Sequence, residues 1–446
     1  MSTTAIAARS TLRIATAGSV DDGKSTLIGR LLHDTKTVFE DQLQAVVKAS
    51  RRYGDGATNL ALLTDGLRAE REQGITIDVA HRYFATPARS FIVADTPGHA
   101  QYTRNMVTGA STSDVAIVLV DARHGVVDQT RRHALIASLL GVEAIVVAVN
   151  KMDLVGWSED EFLRIASDVR TFVGALPQQL PVTAIPMSAL LGDNVVDGSR
   201  HMPWYVGPPL LELLEQFDAT PSALPGARVH VQRVIRPQGG PQADFRGYAG
   251  VVAAGTLSAG DAVTVLPSGR TTTVAAVHRW GAVVPAAESG HAVVVQLADD
   301  IDVARGDVLV VSHASVPPVV TEDIVADLCW MIDQPLVVGS RHWFKHGTRS
   351  GHAVVTAIEH RYDLVSPDHE PATELVLNDI GRVHLRLGTP IVADVYAHHA
   401  EGGRLILIDA ATNTTAGAAM IVSATPTQTA PSTSTSTSTA PSTAPS

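Results

Sequence analysis

Two glycines with four residues between them, followed by lysine and serine, make up Gly18-Ser19-Val20-Asp21-Asp22-Gly23-Lys24-Ser25. That spacing suits a loop whose backbone N–H groups wrap a phosphate, because glycine accepts the backbone angles the wrap requires. A helix starting at the end of the loop adds the partial positive charge of its N-terminus. In such an arrangement Lys24 lies against the β- and γ-phosphates and the Ser25 hydroxyl binds Mg²⁺. Gly18 to Thr26, with Thr26 closing the set, are the candidate phosphate contacts.

Three further segments can complete a nucleotide site. In Asp95-Thr96-Pro97-Gly98-His99, Asp95 offers a carboxylate that holds Mg²⁺ through water, and Gly98 an N–H that can sense a γ-phosphate. In Asn150-Lys151-Met152-Asp153, Asp153 can accept from N1 and N2 of guanine, donors that adenine does not present there. Asn150 and Lys151 would brace that loop and cover the base. Ser188-Ala189-Leu190 can present backbone N–H groups to the base oxygen. Taken singly, the second and third of these motifs are ordinary strand-to-loop turns. Four in one order with workable spacing point to GTP and Mg²⁺.

Two residues depend on geometry the sequence does not give. Gly74-Ile75-Thr76-Ile77-Asp78 follows a charged, helix-like run, Asp65 to Gln73. A Thr76 hydroxyl can complete the Mg²⁺ shell when GTP is bound and release the segment after hydrolysis; without the other motifs it reads as an edge-strand threonine. His99 either orients an attacking water or faces solvent. The candidate catalytic residues are Lys24, Thr76 and His99, and the candidate metal ligands Ser25, Thr76 and Asp95.

The elements that must hold these loops are legible on either side of them. Leu12 to Ala17 reads as a strand and Ser25 to Leu32 as a helix. Phe91 to Asp95, Val115 to Asp121 and Ala144 to Asn150 are short β-branched runs, the pattern of strands buried on both faces, and Gln129 to Leu140 reads as a helix between the last two. Alternation of this kind predicts an α/β, doubly wound parallel sheet over residues 1–217, with ligands at the strands' carboxyl ends. Thr220, Pro221, Pro225 and Gly226 mark a linker. Short alternating runs from Val229 to Leu297 predict a small β-barrel over 227–315. A second all-β domain is expected over 320–423, ending in the pair Leu405–Ile408 and Gly417–Ile421. Residues 424–446 carry only Ser, Thr, Ala, Pro and Gln and are expected to be disordered. No internal repeat stands out. His342 and His346 have a metal-binding spacing only if helical, and their segment reads as β. His398-His399 reads as a solvated loop.

Bulk properties narrow the function. The 446 residues carry a formal charge of -11, which argues against broad binding of nucleic acid phosphates. The one cysteine, Cys329, leaves no internal disulfide and no thiolate cluster, as suits a reducing compartment. With no apolar run near the roughly 20 residues a bilayer demands and no signal-like N-terminus, the expectation is a cytoplasmic protein with no membrane partner. No second phosphate loop follows Ser25.

These motifs together resemble the elongation-factor class of GTPases, whose GTPase domain is followed by two β-barrels. Within that class the chain is most similar to the large, GTP-hydrolysing subunits of bacterial sulfate adenylyltransferase. Residues 19–32, 65–74 and 105–111 carry the likeness in the first domain; Lys345-His346-Gly347-Thr348-Arg349, Asn378 to Val383 and Ile406 to Asp409 carry it in the barrels. The resemblance implies a separate small subunit that transfers the adenylyl group of ATP to sulfate, giving adenosine 5′-phosphosulfate and pyrophosphate, with GTP hydrolysis on this chain driving that uphill step. It implies that Lys24 and Ser25 contact phosphate and Mg²⁺, that Thr76 is the switch threonine and Asp95 the Mg²⁺-side aspartate. It further implies that His99 is the catalytic histidine, Asp153 the guanine reader and Asp21 a monovalent-cation contact. Some relatives continue into an adenylylsulfate kinase with its own phosphate loop, which this sequence does not show. Two rival expectations are a translation factor delivering tRNA and a GTP switch with no coupled adenylyl transfer.

Overall fold

In the computed structural model, residues 11–38, 44, 46, 60–63, 78–99, 103–176, 178–218, 226–240, 244–312, 316–364 and 369–427 are described. Six strands form the first sheet: β1 (Leu12–Ala17), β2 (Ala80–Ala85), β3 (Ser90–Asp95), β4 (Val115–Asp121), β5 (Ala144–Asn150) and β6 (Val182–Pro186), in the order β2-β3-β1-β4-β5-β6. β4 and β5 are buried at every residue. Alternate β4 side chains enter opposite layers. Val115, Ile117 and Leu119 pack with α1 (Lys24–Asp34), while Ala116, Val118 and Val120 pack with α2 (Thr103–Ala110), α3 (Asp128–Leu139) and α4 (Glu159–Gly174). A short α5 (Leu210–Gln216) covers the α1 side.

The sheet departs from an all-parallel one at its edge. β3, β1, β4, β5 and β6 run parallel, but β2 pairs with β3 antiparallel. Their connection is a tight turn closed by Thr86 N–H to the Arg89 carbonyl, 2.9 Å, and so short a link can join only antiparallel strands.

Two closed barrels follow. The first comprises β7 (Arg228–Ile235), β8 (Gly247–Ala254), β9 (Ala262–Leu266), β10 (Arg270–Arg279), β11 (Ala292–Leu297) and β12 (Val308–Val311), closed by the β9–β10 pair. The second comprises β13 (Val319–Trp330), β14 (Arg341–His346), β15 (Arg349–Tyr362), β16 (Ile380–Ala393), β17 (Arg404–Ile408) and β18 (Thr415–Pro426), closed by β14–β15. β18 runs through Pro426, past residue 424, where the tail was expected to begin. Pairing of Ala424, Thr425 and Pro426 with β13 accounts for the extension, because neighbouring backbone satisfies those peptide groups. The expected tail beyond 427, the Asp65–Gln73 run and most of the 219–225 linker lie outside the described residues.

The second barrel shares a core with the first domain: Cys329, Met331, Tyr362, Ile380, Tyr396 and Met420 pack with residues of α3, and the Tyr396 hydroxyl donates to the Leu140 carbonyl at 2.7 Å. The two barrels meet through a small apolar cluster, Val308 and Val310 against Val392, and through buried polar groups. Arg228 and Asp394, both nearly inaccessible, pair at 3.0 Å. Asp394 also lies 3.0 Å from Nδ1 of His399, whose Nε2 donates to the Ala253 carbonyl at 3.1 Å. His399, read from sequence as solvated, is therefore buried, between Asp394 nearby in the chain and Ala253 of β8, 146 residues away. Arg349 donates to the Gly306 and Pro390 carbonyls and to Asp307. His342 and His346 lie on one buried face of β14, and His346 Nε2 donates to the Gly402 carbonyl at 2.9 Å.

His230 sits in this joint, its ring stacked against His399 and its Nε2 buried with no protein partner. Burial, then the neighbouring His346 and His399, push its pKa from 6.5 down to about 4; Asp394 opposes and Arg228 assists. Above about pH 6.5 the imidazole is neutral folded or unfolded. Between there and about pH 4 only the unfolded chain takes up the proton, so stability falls as pH falls through that window. The melting temperature should drop more steeply for the wild type than for His230→Phe between about pH 7.5 and about 4.5. Parallel pH profiles would refute the assignment.

Candidate functional site

The loop between β1 and α1 is held open by its own backbone. Gly18 and Gly23 have φ of 155° and 95°, and Asp21 is left-handed at 65°. A Cβ on Gly23 would stand 2.4 Å from Nδ2 of Asn150, so only glycine leaves room for that amide. Ser19 N–H donates to Asp22 Oδ2 at 2.5 Å, which folds the loop back on itself. α1 then starts at Lys24 with no side-chain cap, leaving its first N–H groups directed at the loop.

Lys24 is buried, and its Nζ donates to the carbonyls of Gly18 and Ser19, each at 2.8 Å. Burial lowers its pKa, while Asp22, Asp95 and Asp21 act to raise it. Burial likewise raises the pKa of Asp22, against the pull of Lys24. Asp95 ends β3 fully inside the fold, and Thr96 donates to the Thr16 carbonyl at 2.6 Å, fastening the Asp95–His99 loop to β1. Gly98 approaches the phosphate loop so closely that a Cβ there would fall 2.4 Å from Lys24 Nζ and 2.6 Å from the Gly18 carbonyl. Only a residue without a side chain fits. His99 is exposed at the end of that loop.

Asn150 joins three loops. Its Nδ2 donates to the Asp22 carbonyl at 2.8 Å, and its Oδ1 accepts from Ala189 N–H at 2.9 Å. Ser188 and Ala189 are buried and Leu190 is half exposed. Lys151, left-handed at φ 62°, places Nζ 2.9 Å from Asp121 Oδ2. Met152 is buried, and its N–H donates to the Met187 carbonyl at 3.1 Å; Asp153 is partly exposed beside it. Ser25 and Thr26 are half-buried in the first turn of α1. Of the expected set, residues 18–26, 95–99, 150–153 and 188–190 thus gather at the carboxyl ends of β1, β3, β5 and β6. Thr76 lies outside the described residues.

Two contributors carried no motif. Asp121 ends β4 opposite Asn150 and binds both Lys151 and Arg123, the latter at 2.6 Å. Burial alone would raise its pKa; hydrogen bonds from Arg123 and Lys151 outweigh it and hold the carboxyl well below the usual range. Arg30 of α1 donates to the carbonyls of Ala189 and Leu190, tying the fourth loop to the first helix. The signal for Asp121 was its place at the end of a buried strand, in register with Asn150.

Comparison with known proteins places this geometry. The elongation factor Tu GTP binding domain matches residues 9–222, and a GTP-eEF1A C-terminal domain-like model matches residues 323–422. Sulfate adenylyltransferase subunit 1 of Laribacter hongkongensis is 50% identical over 419 residues, covering 93% of this chain and 86% of its own. That of Vibrio cholerae is 50% identical over 416 residues, covering 93% and 86%. A Mycobacterium tuberculosis bifunctional enzyme CysN/CysC is 51% identical over 414 residues, 92% of this chain and 67% of that relative. A solved structure of sup35 with GMPPNP superimposes loosely, with a TM-score of 0.41 at 23% identity over 94% of this chain and 95% of that one.

Asn150→Ala would strand the Asp22 carbonyl and the Ala189 N–H, each buried polar group costing about 1–3 kcal/mol. Affinity for a fluorescent GDP analogue should fall by roughly ten- to a hundredfold, with the folded state retained. Titration of that analogue checks it, and an unchanged affinity would show that the amide does not organise the site.

Proposed function

The chain belongs to the family of sulfate adenylyltransferase subunit 1, and we propose that it is the GTP-hydrolysing subunit that powers sulfate activation on a separate, small adenylylating subunit. What carries this reading is that an alignment of 50% identity spans 93% of the chain, a length that takes in both barrels. Phosphate-loop motifs alone do not separate one GTPase from another, whereas barrel residues do. The name "subunit 1" of the relatives supports an assembly of unlike chains; the small partner, which binds ATP and sulfate, is our proposal. The same breadth of identity favours this reading over a tRNA-delivering factor or an uncoupled switch.

On this proposal the backbone of Gly18 to Lys24 and the α1 N-terminus bind the β- and γ-phosphates, and Lys24 Nζ moves from the loop carbonyls to phosphate oxygens. The cradle fits: Gly23 and Gly98 stand where any Cβ would collide with Asn150, Lys24 or the loop backbone. Ser25, Asp95 and Thr76 would hold Mg²⁺, which neutralises charge on the phosphates. Asp153 accepts from the guanine edge, Lys151 is fixed over the base by Asp121, and Ala189 is set against the base oxygen by Asn150. His99 orients the water that attacks the γ-phosphate. Hydrolysis drives the partner's uphill transfer only if the GTP and GDP forms of this chain differ in affinity for the partner's states. No described helix is long and apolar enough to cross a membrane.

Asp153→Asn should lose about 2–4 kcal/mol of guanine recognition, narrowing the preference for GTP over ATP in competition binding. An unaltered preference would remove the residue from the site. Lys24→Ala should abolish GTP turnover while the barrels stay folded, read by phosphate release and circular dichroism. With the adenylylating subunit present, sulfate-dependent pyrophosphate release should rise with GTP and lose that rise in Lys24→Ala. Release indifferent to GTP would sink the coupling.

A further inference from the structure

Between α2 and the outer face of the second barrel lies a cavity of about 630 Å³, within the range of small-molecule sites. One wall is a single helical face: Arg104, Val107, Thr108 and Ser111 follow at the 3- and 4-residue spacing of neighbours on a helix. The other wall follows from strand register. Lys345 opposes Ile406, Ile406 opposes Ala418, and Arg404 opposes Met420, so these side chains share the outer barrel face. Leu140, Met331, Tyr396 and Met420 supply an apolar floor.

The charge on this lining is one-sided. The chain has 45 acidic residues against 34 Lys and Arg, yet among the described residues the cavity is lined by Arg104, Lys345 and Arg404 and by no carboxylate. Neither Arg104 nor Lys345 has an ion-pair partner among the described residues, and Arg404 reaches only an exposed Glu401 at 3.8 Å. Three cations from separate elements above a floor of methionine and tyrosine suit an anionic head on a flat apolar body.

We propose that this cavity is a second ligand site, distinct from the GTP site, for an organic phosphate or sulfate ester the size of a nucleoside monophosphate. The site also touches the nucleotide machinery. On the far side of α2, a Cβ on Gly109 would stand 2.6 Å from Thr96 Cγ2, so the helix packs directly on the loop that carries Asp95. A ligand that shifts α2 shifts that loop, and by linkage the nucleotide state alters affinity for the ligand. That its occupant in the cell is an adenylyl ester made by the partner rests on the function proposed above; the existence of the site does not.

The test uses the full chain alone, saturated with GDP so that the first site is filled, and titrated calorimetrically with adenosine 5′-monophosphate, pyrophosphate and adenosine. The monophosphate should bind at one site at least about tenfold more tightly than either fragment, since each lacks the head or the body. Lys345→Gln and Arg404→Gln, both on the exposed rim, should each weaken it about three- to tenfold without altering GDP affinity. Ala418→Trp, which fills the cavity from the barrel wall, should block it. Saturating monophosphate should also change the release rate of a fluorescent GDP analogue at least about twofold. No heat at millimolar monophosphate, equal binding of all three probes, or indifference to the charge and floor variants overturns the site. Binding with an unmoved release rate overturns the coupling. No partner subunit or sulfate enters the experiment, so failure of the proposed sulfate chemistry leaves its outcome readable.

Discussion

One side-chain amide fixes the relation among the phosphate loop, the base loop and the fourth loop. Asn150 spends its N–H on the Asp22 carbonyl and its oxygen on the Ala189 N–H, both inside the fold. An amide is short and planar, so satisfying both ends leaves little freedom in the distance between the loops. Everything nearby defers to it. Gly23 has no side chain because the amide occupies that space, Asn150 ends a strand buried at every residue, and Asp121 in the next strand pins the adjoining Lys151. A phosphate loop without this tie would still wrap an anion, but its distance from a base reader would not be set.

The two barrels are attached by different physics. The second meets the first domain chiefly through apolar side chains continuous with the α3 core, fastened by the hydrogen bond from Tyr396 to Leu140. It meets the first barrel through a small valine cluster and through Arg228–Asp394, Arg349–Asp307 and histidines whose hydrogen bonds specify one arrangement. Breaking one partner of such a buried pair costs far more than displacing a methyl group. The polar joint therefore fixes the two barrels to each other in one arrangement.

What was legible in the sequence was local. Gly18 to Ser25 announces a loop between a strand and a helix because the turn chemistry and both flanks are contiguous, and the strands ending in Asp95 and Asn150 show as unbroken apolar runs. The misses share one cause. β2 alternates half-heartedly, with His81 and Arg82 in it, and is a strand only because a turn at Thr86 lays it against β3. Asp121 has no motif around it; its role exists only in register with Asn150. His399 looked solvated because its burial depends on Ala253 of the first barrel, 146 residues away, which no window around residue 399 contains. Interfaces are assembled from distant segments, and residue patterning cannot report them before the fold brings them together.

The charges around Lys24 bear on what the pocket can accept. Asp21, Asp22 and Asp95 all act on this one buried ammonium, so the loop's own side chains are net negative before any ligand arrives. Lys24 and the roughly half an elementary charge at the N-terminus of α1 together fall short of three carboxylates and a triphosphate. Asp22 and Asp95 are buried beside Lys24, where charge is less screened by water, whereas Asp21 is exposed. On the proposed function, a divalent cation between the phosphate oxygens and Asp95 would offset part of that charge. The acidic side chains would then favour the metal-bound nucleotide over the bare anion.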